Sequence, residues 1–218
     1  MTNNFEIYKE FIRSMLPDFP EKNSPTGSDK YYVIELIRRG KDNPDLPAAN
    51  MHFKNYYLFS WHDFVRFEDE IKKVCDLLRL RAYASVNWKS KRQVTLNMSA
   101  TLSQRISTGD FNKPYTIWES CSADYFSRDN NVWVIDVDNE EGCETDRNYI
   151  DRIKSVVSRC RTKYEDAFIR EIPTRSGLHL LYRPFDLLNF QNLCKEEGIG
   201  LVMSDVKKNH LTLLYENL

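Results

Sequence analysis

The chain has 218 residues, of which 41% are hydrophobic and 13% aromatic, enough to bury a substantial core. Charged residues make up 29% and the formal net charge is -1. This composition excludes a largely disordered chain, but it leaves nucleic-acid binding open because an acidic site can offset a basic groove elsewhere. No apolar run approaches the ~18 residues of a membrane span, and the N-terminus mixes charges where a signal peptide needs an apolar stretch. We therefore expect a cytoplasmic protein without a membrane partner.

The cysteines favour the same compartment. The five of them are scattered singly along the chain, without the CxxC or Cys/His spacing that would indicate a zinc site. An odd number of isolated cysteines also gives no disulfide framework, which is typical of a reducing environment.

The first half of the chain mixes helical and strand patterns. Apolar spacing predicts a helix over 5–16, which Pro17 ends, followed by a loop rich in Pro, Ser and charge. Ser60 and Asp63 have the spacing of a helix N-cap, so Trp61-His62-Asp63 is interpreted as a first helical turn. The predicted elements are strand 31–39, strand 54–60, helix 61–79, strand 81–87, helix 94–106 and strand 115–120.

The second half predicts a different unit. Its elements are strand 131–136, helix 145–162, strand 167–173, strand 177–183, helix 187–197, strand 199–205 and strand 209–215. The order β-α-β-β-α-β plus one strand is that of a ferredoxin-like or RRM-like unit. We expect parallel and antiparallel strands in one sheet with helices on one face. The predicted fold is α+β, with an N-terminal helix and loop (1–29), an α/β module (30–130) and an RRM-like module (131–218).

Two acids follow the most apolar strand of the chain. Asp136 and Asp138 are two residues apart, so in a strand both carboxylates point to one face and Val137 points to the other. Like charges so close are costly unless a cation or proton intervenes, and a hard divalent ion such as Mg²⁺ or Mn²⁺ prefers oxygen ligands. An isolated pair of this kind is more often a strand end that begins a turn.

Two further features follow along the chain. Arg175-Ser176-Gly177 is a tight polar turn before a strand that carries His179, and exposed N–H groups beside Arg and His can hold phosphate oxygens. A lone strand His is more often a buried residue that has a hydrogen-bond partner. Asp205 ends another apolar strand, where a hairpin residue is the commoner interpretation. Asp186 is its rival, although its position before a helix suggests a cap.

Together these features resemble the archaeo-eukaryotic primase-polymerase superfamily. The shared order is Asp-Val-Asp (136–138), then Gly-Leu-His (177–179) on a strand, then a strand-end Asp (205). TRSGLHLLYRP is similar to the second motif of that family and SDVKKNHLTLLY to its third. The resemblance covers residues 132–215 well, and in 31–120 it is limited to a plausible α/β module.

The resemblance implies specific roles. Asp136, Asp138 and Asp205 would bind two divalent ions, Mg²⁺ or Mn²⁺, and catalyse nucleotidyl transfer. Arg175, Ser176, Gly177 and His179 would hold the triphosphate of a nucleoside triphosphate. The other implied partners are a single-stranded or primed template and a helicase or accessory primase domain. The cysteines do not show the zinc-binding spacing of some relatives, so we expect that priming needs another subunit or domain.

A basic and aromatic stretch around 79–92 is the predicted nucleic-acid contact. Its cations Arg81, Lys89, Lys91 and Arg92 are interleaved with Tyr83 and Trp88, a pattern that suits nucleic-acid backbone and bases. A solvated charged turn is an equally good interpretation.

Two functions compete with a primase-polymerase: a non-catalytic nucleic-acid-binding RRM-like module and a metal-dependent nuclease. The remaining histidines, His52 and His210, have no partner spacing and no predicted role.

Overall fold

The computed structural model describes residues 1–13, 16, 29–45, 50–124, 131–138 and 146–217. Its helices are α1 (Phe5–Ile12), α2 (Trp61–Leu78), α3 (Lys91–Thr108), α4 (Ile117–Asp124), α5 (Arg147–Arg159) and α6 (Leu187–Glu196). Short 3₁₀ helices cover Gly40–Asp42, Pro114–Thr116 and Met203–Asp205. The predicted loops over 17–28 and 139–145 lie outside the described residues. Within the described ranges, no helix is long and apolar enough to cross a membrane.

Ten strands form two sheets in the part of the chain that the structure describes. They are β1 (Thr2–Asn3), β2 (Lys30–Arg39), β3 (Asn50–Leu58), β4 (Arg81–Ser85), β5 (Lys89–Ser90), β6 (Trp133–Asp138), β7 (Phe168–Pro173), β8 (Gly177–Tyr182), β9 (Val206–Lys207) and β10 (Leu211–Glu216). The first sheet has the order β1-β10-β4-β2-β3, with β5 paired to β2, and the second has the order β7-β8-β6-β9.

The α+β class is confirmed, but two expectations about the sheets were wrong. Every strand pair in the described residues is antiparallel, so the two sheets are not mixed. The predicted last strand of the RRM-like module, β10, joins β1 and β4 in the first sheet instead. The C-terminal strand therefore ties the two halves of the chain together.

Two predicted strands are not strands. The 115–120 segment is a 3₁₀ turn with Pro114 at its start, followed by α4. Ile117 and Cys121, four residues apart, pack into the core beside α3, which is helical spacing. Residues 199–202 form no strand, and a 3₁₀ turn over Met203–Asp205 follows them. In that turn the Asp205 carboxylate accepts the Val202 N–H at 2.8 Å. This local side-chain bond competes with strand pairing.

Local signals explain several element boundaries. Ser60 accepts the Asp63 N–H and caps α2, as predicted. The Asp186 carboxylate accepts the N–H groups of Leu188 and Asn189, so the interpretation of Asp186 as a cap of α6 is confirmed. The C-terminus of α3 is closed by Gly109 in the left-handed conformation.

The second sheet is covered on both faces. On one face, Ile135, Val137 and Leu180 pack with α5 and α6 in a shared core. On the other face, Val134 and Leu181 join the large core formed by the first sheet, α1 and α2. Four cysteines are buried free thiols, namely Cys75, Cys121, Cys160 and Cys194, and Cys143 lies outside the described residues.

Candidate functional site

The site begins where β6 leaves the core. Val134, Asp136 and Asp138 share one face of this strand because side chains two apart point the same way. Val134 is fully buried, Asp136 is half-buried and Asp138 is exposed. One strand face therefore runs from the core to the mouth of a cleft, and it carries both predicted carboxylates there.

The neighbouring strand brings His179 to Asp136. In the antiparallel β6–β8 register, Asp136 lies opposite His179 and Asp138 lies opposite Gly177. The His179 Nε2 atom is 3.3 Å from the Asp136 Oδ1 atom. This contact with His179 holds the pKa of the Asp136 carboxyl below its usual value, against the opposing effect of partial burial. Asp136 is therefore an ionised acceptor at neutral pH.

The other ring nitrogen of His179 is held by the first sheet. Nδ1 lies 3.0 Å from the hydroxyl oxygen of Thr212, which is fully buried on β10. Thr212 can donate to a neutral ring nitrogen or accept from a protonated one, so it holds the ring orientation in either tautomer. His179 is thus a bridge between the two sheets, and its position depends on β10 joining the first sheet.

A second histidine completes the cluster. The ring centroid of His210, just before β10, is 5.5 Å from that of His179 in a T-shaped contact. Potential metal-ligand atoms of Asp136, His179 and His210 all lie within 4.8 Å of one another. Burial is the main cause that lowers the pKa of His210, and the nearby His179 lowers it further. His210 is therefore a neutral imidazole near pH 7.

These residues line a cleft of about 970 Å³ between the two sheets. The acids Asp136 and Asp138 share its lining with permanently cationic side chains. Those cations are Arg39, Lys41, Arg81 and Arg175. Apolar and aromatic side chains complete one wall, namely Ile37, Tyr83, Leu211 and Leu213. The cleft therefore offers both oxygen ligands for a cation and positive charge for an anion.

An ionic bridge crosses the cleft between the sheets. The 3₁₀ turn after β2 carries Asp42, whose Oδ1 atom accepts from Arg81 at 2.7 Å and from Arg175 at 2.8 Å. The Asp42 and Arg81 side chains are buried, whereas Arg175 is 48% exposed. The two guanidinium groups thus converge on one carboxylate oxygen, an arrangement that is suited to charge-assisted hydrogen bonds with an oxyanion.

The predicted polar turn lies at the rim of this cleft. The Thr174 N–H donates to the Gly177 carbonyl oxygen at 3.0 Å, which closes a tight turn that exposes Arg175 and Ser176. Gly177 has a packing role there. A Cβ atom on it would lie 2.0 Å from the Val137 carbonyl oxygen, far inside contact distance. Glycine lets β8 approach β6 at the level of Asp138.

The carboxylate of Asp205 takes part in its own turn. It accepts the Val202 N–H in the 3₁₀ turn before β9. Burial is the main cause that raises the pKa of Tyr149 on α5, and the charge of Asp205 adds a small contribution. Asp205 is not among the residues that line the cleft. In the β6–β9 register Ile135 pairs with Val206, so the backbone of Asp205 adjoins that of Asp136. The Asp205 carboxylate is held in its own turn, and the potential ligand atoms grouped with Asp136 are those of His179 and His210.

The basic stretch is divided between two places. Arg81 pairs with Ile37 in the sheet register and lines the cleft. Lys89 pairs with Tyr31, six residues away along β2, a separation of roughly 20 Å. Lys89 is buried, and the half-buried Lys91 and exposed Arg92 begin α3 near it. The four cations therefore do not form one surface.

Sequence reasoning missed His210, Thr212, Arg39 and Lys41. His210 and Thr212 are two apart in the sequence NHLT, so strand alternation places them on one side of the chain. That signal alone does not reveal His179 as their neighbour, because β8 and β10 belong to different sheets. Arg39 is the last residue of the predicted strand 31–39 and Lys41 lies two residues beyond it, and no other local signal indicated that they line a cleft.

Compared with protein-family models, curated proteins and solved structures, the chain has no match in any of the three. The function of the cleft is therefore inferred from its geometry.

Proposed function

We propose that the chain is a metal-dependent nucleotidyltransferase that adds nucleotides to the 3′-end of a template-paired strand. The observation that carries the proposal is the pairing of Asp136 and Asp138 with a cationic wall inside one cleft. Carboxylates that hold a divalent ion and cations that hold phosphates are the two requirements of phosphoryl transfer. A cleft of about 970 Å³ is also within the ~300–1,000 Å³ of small-molecule sites.

The acidic pair suits a divalent ion. Both carboxylates leave the same face of β6, and the low pKa of Asp136 keeps that group ionised. Their oxygen atoms are donors that Mg²⁺ and Mn²⁺ prefer. When bound there, such an ion supplies charge neutralisation for the reacting phosphate and promotes ionisation of the attacking 3′-hydroxyl.

The cations suit the triphosphate. Arg39 donates to the Tyr83 hydroxyl at 2.9 Å, which holds its guanidinium in the cleft. Lys41 is exposed at the same wall. Arg175 and Ser176 approach from the opposite sheet, where Arg175 can exchange the Asp42 carboxylate for a phosphate oxygen. These groups would orient the nucleotide and stabilise the leaving pyrophosphate.

The topology of the second half supports the same family of functions. Its six elements β6-α5-β7-β8-α6-β9 include a sheet of order β7-β8-β6-β9, and this element order supports the ferredoxin-like or RRM-like arrangement expected from the sequence. The primase-polymerase superfamily, which the motifs around Asp136 and His179 resemble, uses that arrangement for its catalytic unit. Nucleoside triphosphates and a single-stranded or primed template are the proposed substrates.

The test is incorporation of labelled nucleotide. Purified chain is incubated with Mg²⁺ or Mn²⁺, nucleoside triphosphates and primed or unprimed single-stranded template. We expect template-dependent products from the wild type and none from Asp136→Ala/Asp138→Ala, with Asp69→Ala as an exposed acidic control on α2. Template degradation by the wild type in place of extension would indicate a nuclease. Nucleic-acid binding that proceeds without products and without metal would indicate a binding module.

A further inference from the structure

We propose that Asp136, His179 and His210 together form one site for a divalent transition-metal ion, which binds Mn²⁺, Co²⁺ or Zn²⁺ in preference to Mg²⁺. The inference rests on the proposed function and deepens it, because it names the class of ion that the catalytic cleft selects. It adds His210 to the acidic pair and gives His179 a role as a ligand.

The geometry of the cluster is close to that of a bound ion. Ligand atoms about 2.1 Å from a shared ion lie about 3.4 Å apart in a tetrahedral arrangement. The His179 Nε2 and Asp136 Oδ1 atoms, at 3.3 Å, already have that separation. The full set lies within 4.8 Å, so the imidazole of His210 closes the site by a small rotation. His210 is half-buried, which leaves its ring room to turn.

A second observation supports a ligand role for His179. A ligating histidine usually donates its other ring N–H to a neighbouring oxygen, which fixes the tautomer that presents a lone pair to the ion. The Thr212 hydroxyl lies 3.0 Å from Nδ1, and this contact is buried. Nε2 is the atom left facing Asp136. Thr212 thus acts as a positioning residue.

The chemistry of the donors sets the selectivity. Two imidazole nitrogens and one carboxylate suit borderline transition ions, whereas Mg²⁺ prefers oxygen ligands. Among divalent transition-metal ions, the affinity of such a ligand set increases from Mn²⁺ through Co²⁺ to a maximum at Cu²⁺, and it is lower again for Zn²⁺. Three protein ligands also leave coordination positions open toward the cleft, as in catalytic metal sites. Asp138 lines the same cleft two residues from Asp136.

The test uses the full chain and the metal alone. Co²⁺ is titrated while its visible absorption is recorded, and Mn²⁺, Zn²⁺ and Mg²⁺ are added as competitors. We expect saturable one-to-one binding with a spectrum of nitrogen coordination, which Zn²⁺ displaces and a large excess of Mg²⁺ does not. His210→Ala should bind Co²⁺ at least ~10-fold more weakly, since even outer-sphere partners contribute that much. His52→Ala, an exposed histidine of the same cleft, should bind as the wild type does.

Two more variants keep the result interpretable. If His210→Ala does not fold, His210→Asn removes the strong nitrogen ligand and keeps a polar side chain. His210→Asp should shift the preference toward Mg²⁺, because it exchanges nitrogen for oxygen. Co²⁺ binding that Mg²⁺ displaces equally well, or that His210→Ala and His210→Asn leave unchanged, overturns the inference.

Metal binding and catalysis are measured separately, so their failures differ. Co²⁺ binding that depends on His210, without nucleotide incorporation under any ion, would leave the metal site and refute the proposed function. Incorporation by the wild type, with Co²⁺ binding that His210→Ala and His210→Asn leave unchanged, would leave the function and refute the metal site.

Discussion

Replacement of Gly177 by alanine tests the close approach of β8 to β6. The added Cβ would lie 2.0 Å from the Val137 carbonyl oxygen and 3.0 Å from the Asp138 Cα. Both contacts are with backbone, so the strands must separate. Overpacking of this kind costs about 1–3 kcal/mol, and the loss of one neighbouring ladder hydrogen bond adds about 1 kcal/mol. We expect the free energy of unfolding to fall by about 2–4 kcal/mol.

Urea denaturation followed by circular dichroism measures this change. For a chain of this length, that loss lowers the midpoint of thermal unfolding by about 4–16 °C, because 1 kcal/mol corresponds to about 2–4 °C. Gly200→Ala is the matched control, since a Cβ there has nothing within 4 Å. A Gly177→Ala variant that unfolds with the wild type would refute the role of this glycine. The same variant should impair metal binding, because Asp138 lies opposite Gly177.

Three further perturbations test the network around the cleft. Thr212→Val leaves a ring nitrogen of His179 without its partner, so urea denaturation should show a loss of about 1–3 kcal/mol, and unchanged stability would contradict it. The folded pKa of Asp136 lies below its ordinary value of 3.8; its stabilisation is therefore present above that pH and is lost as the pH falls through the folded pKa. Asp136→Asn should remove this acid-dependent component from stability–pH curves, and parallel curves would argue against it. Asp42→Asn removes one of the two buried carboxylates that pair with Arg81 and leaves Glu216 at 3.1 Å. Loss of a hydrogen bond between charged groups should lower the free energy of unfolding by about 1.5–3 kcal/mol, and a wild-type midpoint of thermal unfolding would be inconsistent with this bridge.

Local patterns predicted most of the elements well. The Ser60 cap, the apolar spacing of α2 and α5, and the β-branched run of β6 are signals within a few residues of the elements they specify. The 115–120 segment was misjudged because its aromatic and β-branched content favours a strand. The segment is helical because its apolar side chains pack against α3, and this tertiary contact outweighs the local preference for a strand.

Local sequence patterns predicted only the part of the candidate site that lies on a single strand. Asp136 and Asp138 share a face by alternation, and β6–β8 pairing then brought His179 to Asp136. Asp205 follows an apolar run that resembles a strand, but its own carboxylate stabilises a turn. His210 joins the cluster because β10 crosses to the first sheet. Such long-range topology has no local signature, so the presence of His210 in the cluster could not be predicted from the sequence.

Nucleotide incorporation by two matched acidic variants tests the central claim most directly. Asp138→Asn removes a charge from the cleft, whereas Asp69→Asn removes one from the exposed surface of α2. With Mn²⁺, labelled nucleotides and a primed template, we expect the wild type and Asp69→Asn to extend the primer and Asp138→Asn to lose most of that activity. Extension by Asp138→Asn at the wild-type rate, or no extension by a folded, metal-loaded wild type, would contradict nucleotidyl transfer in this cleft.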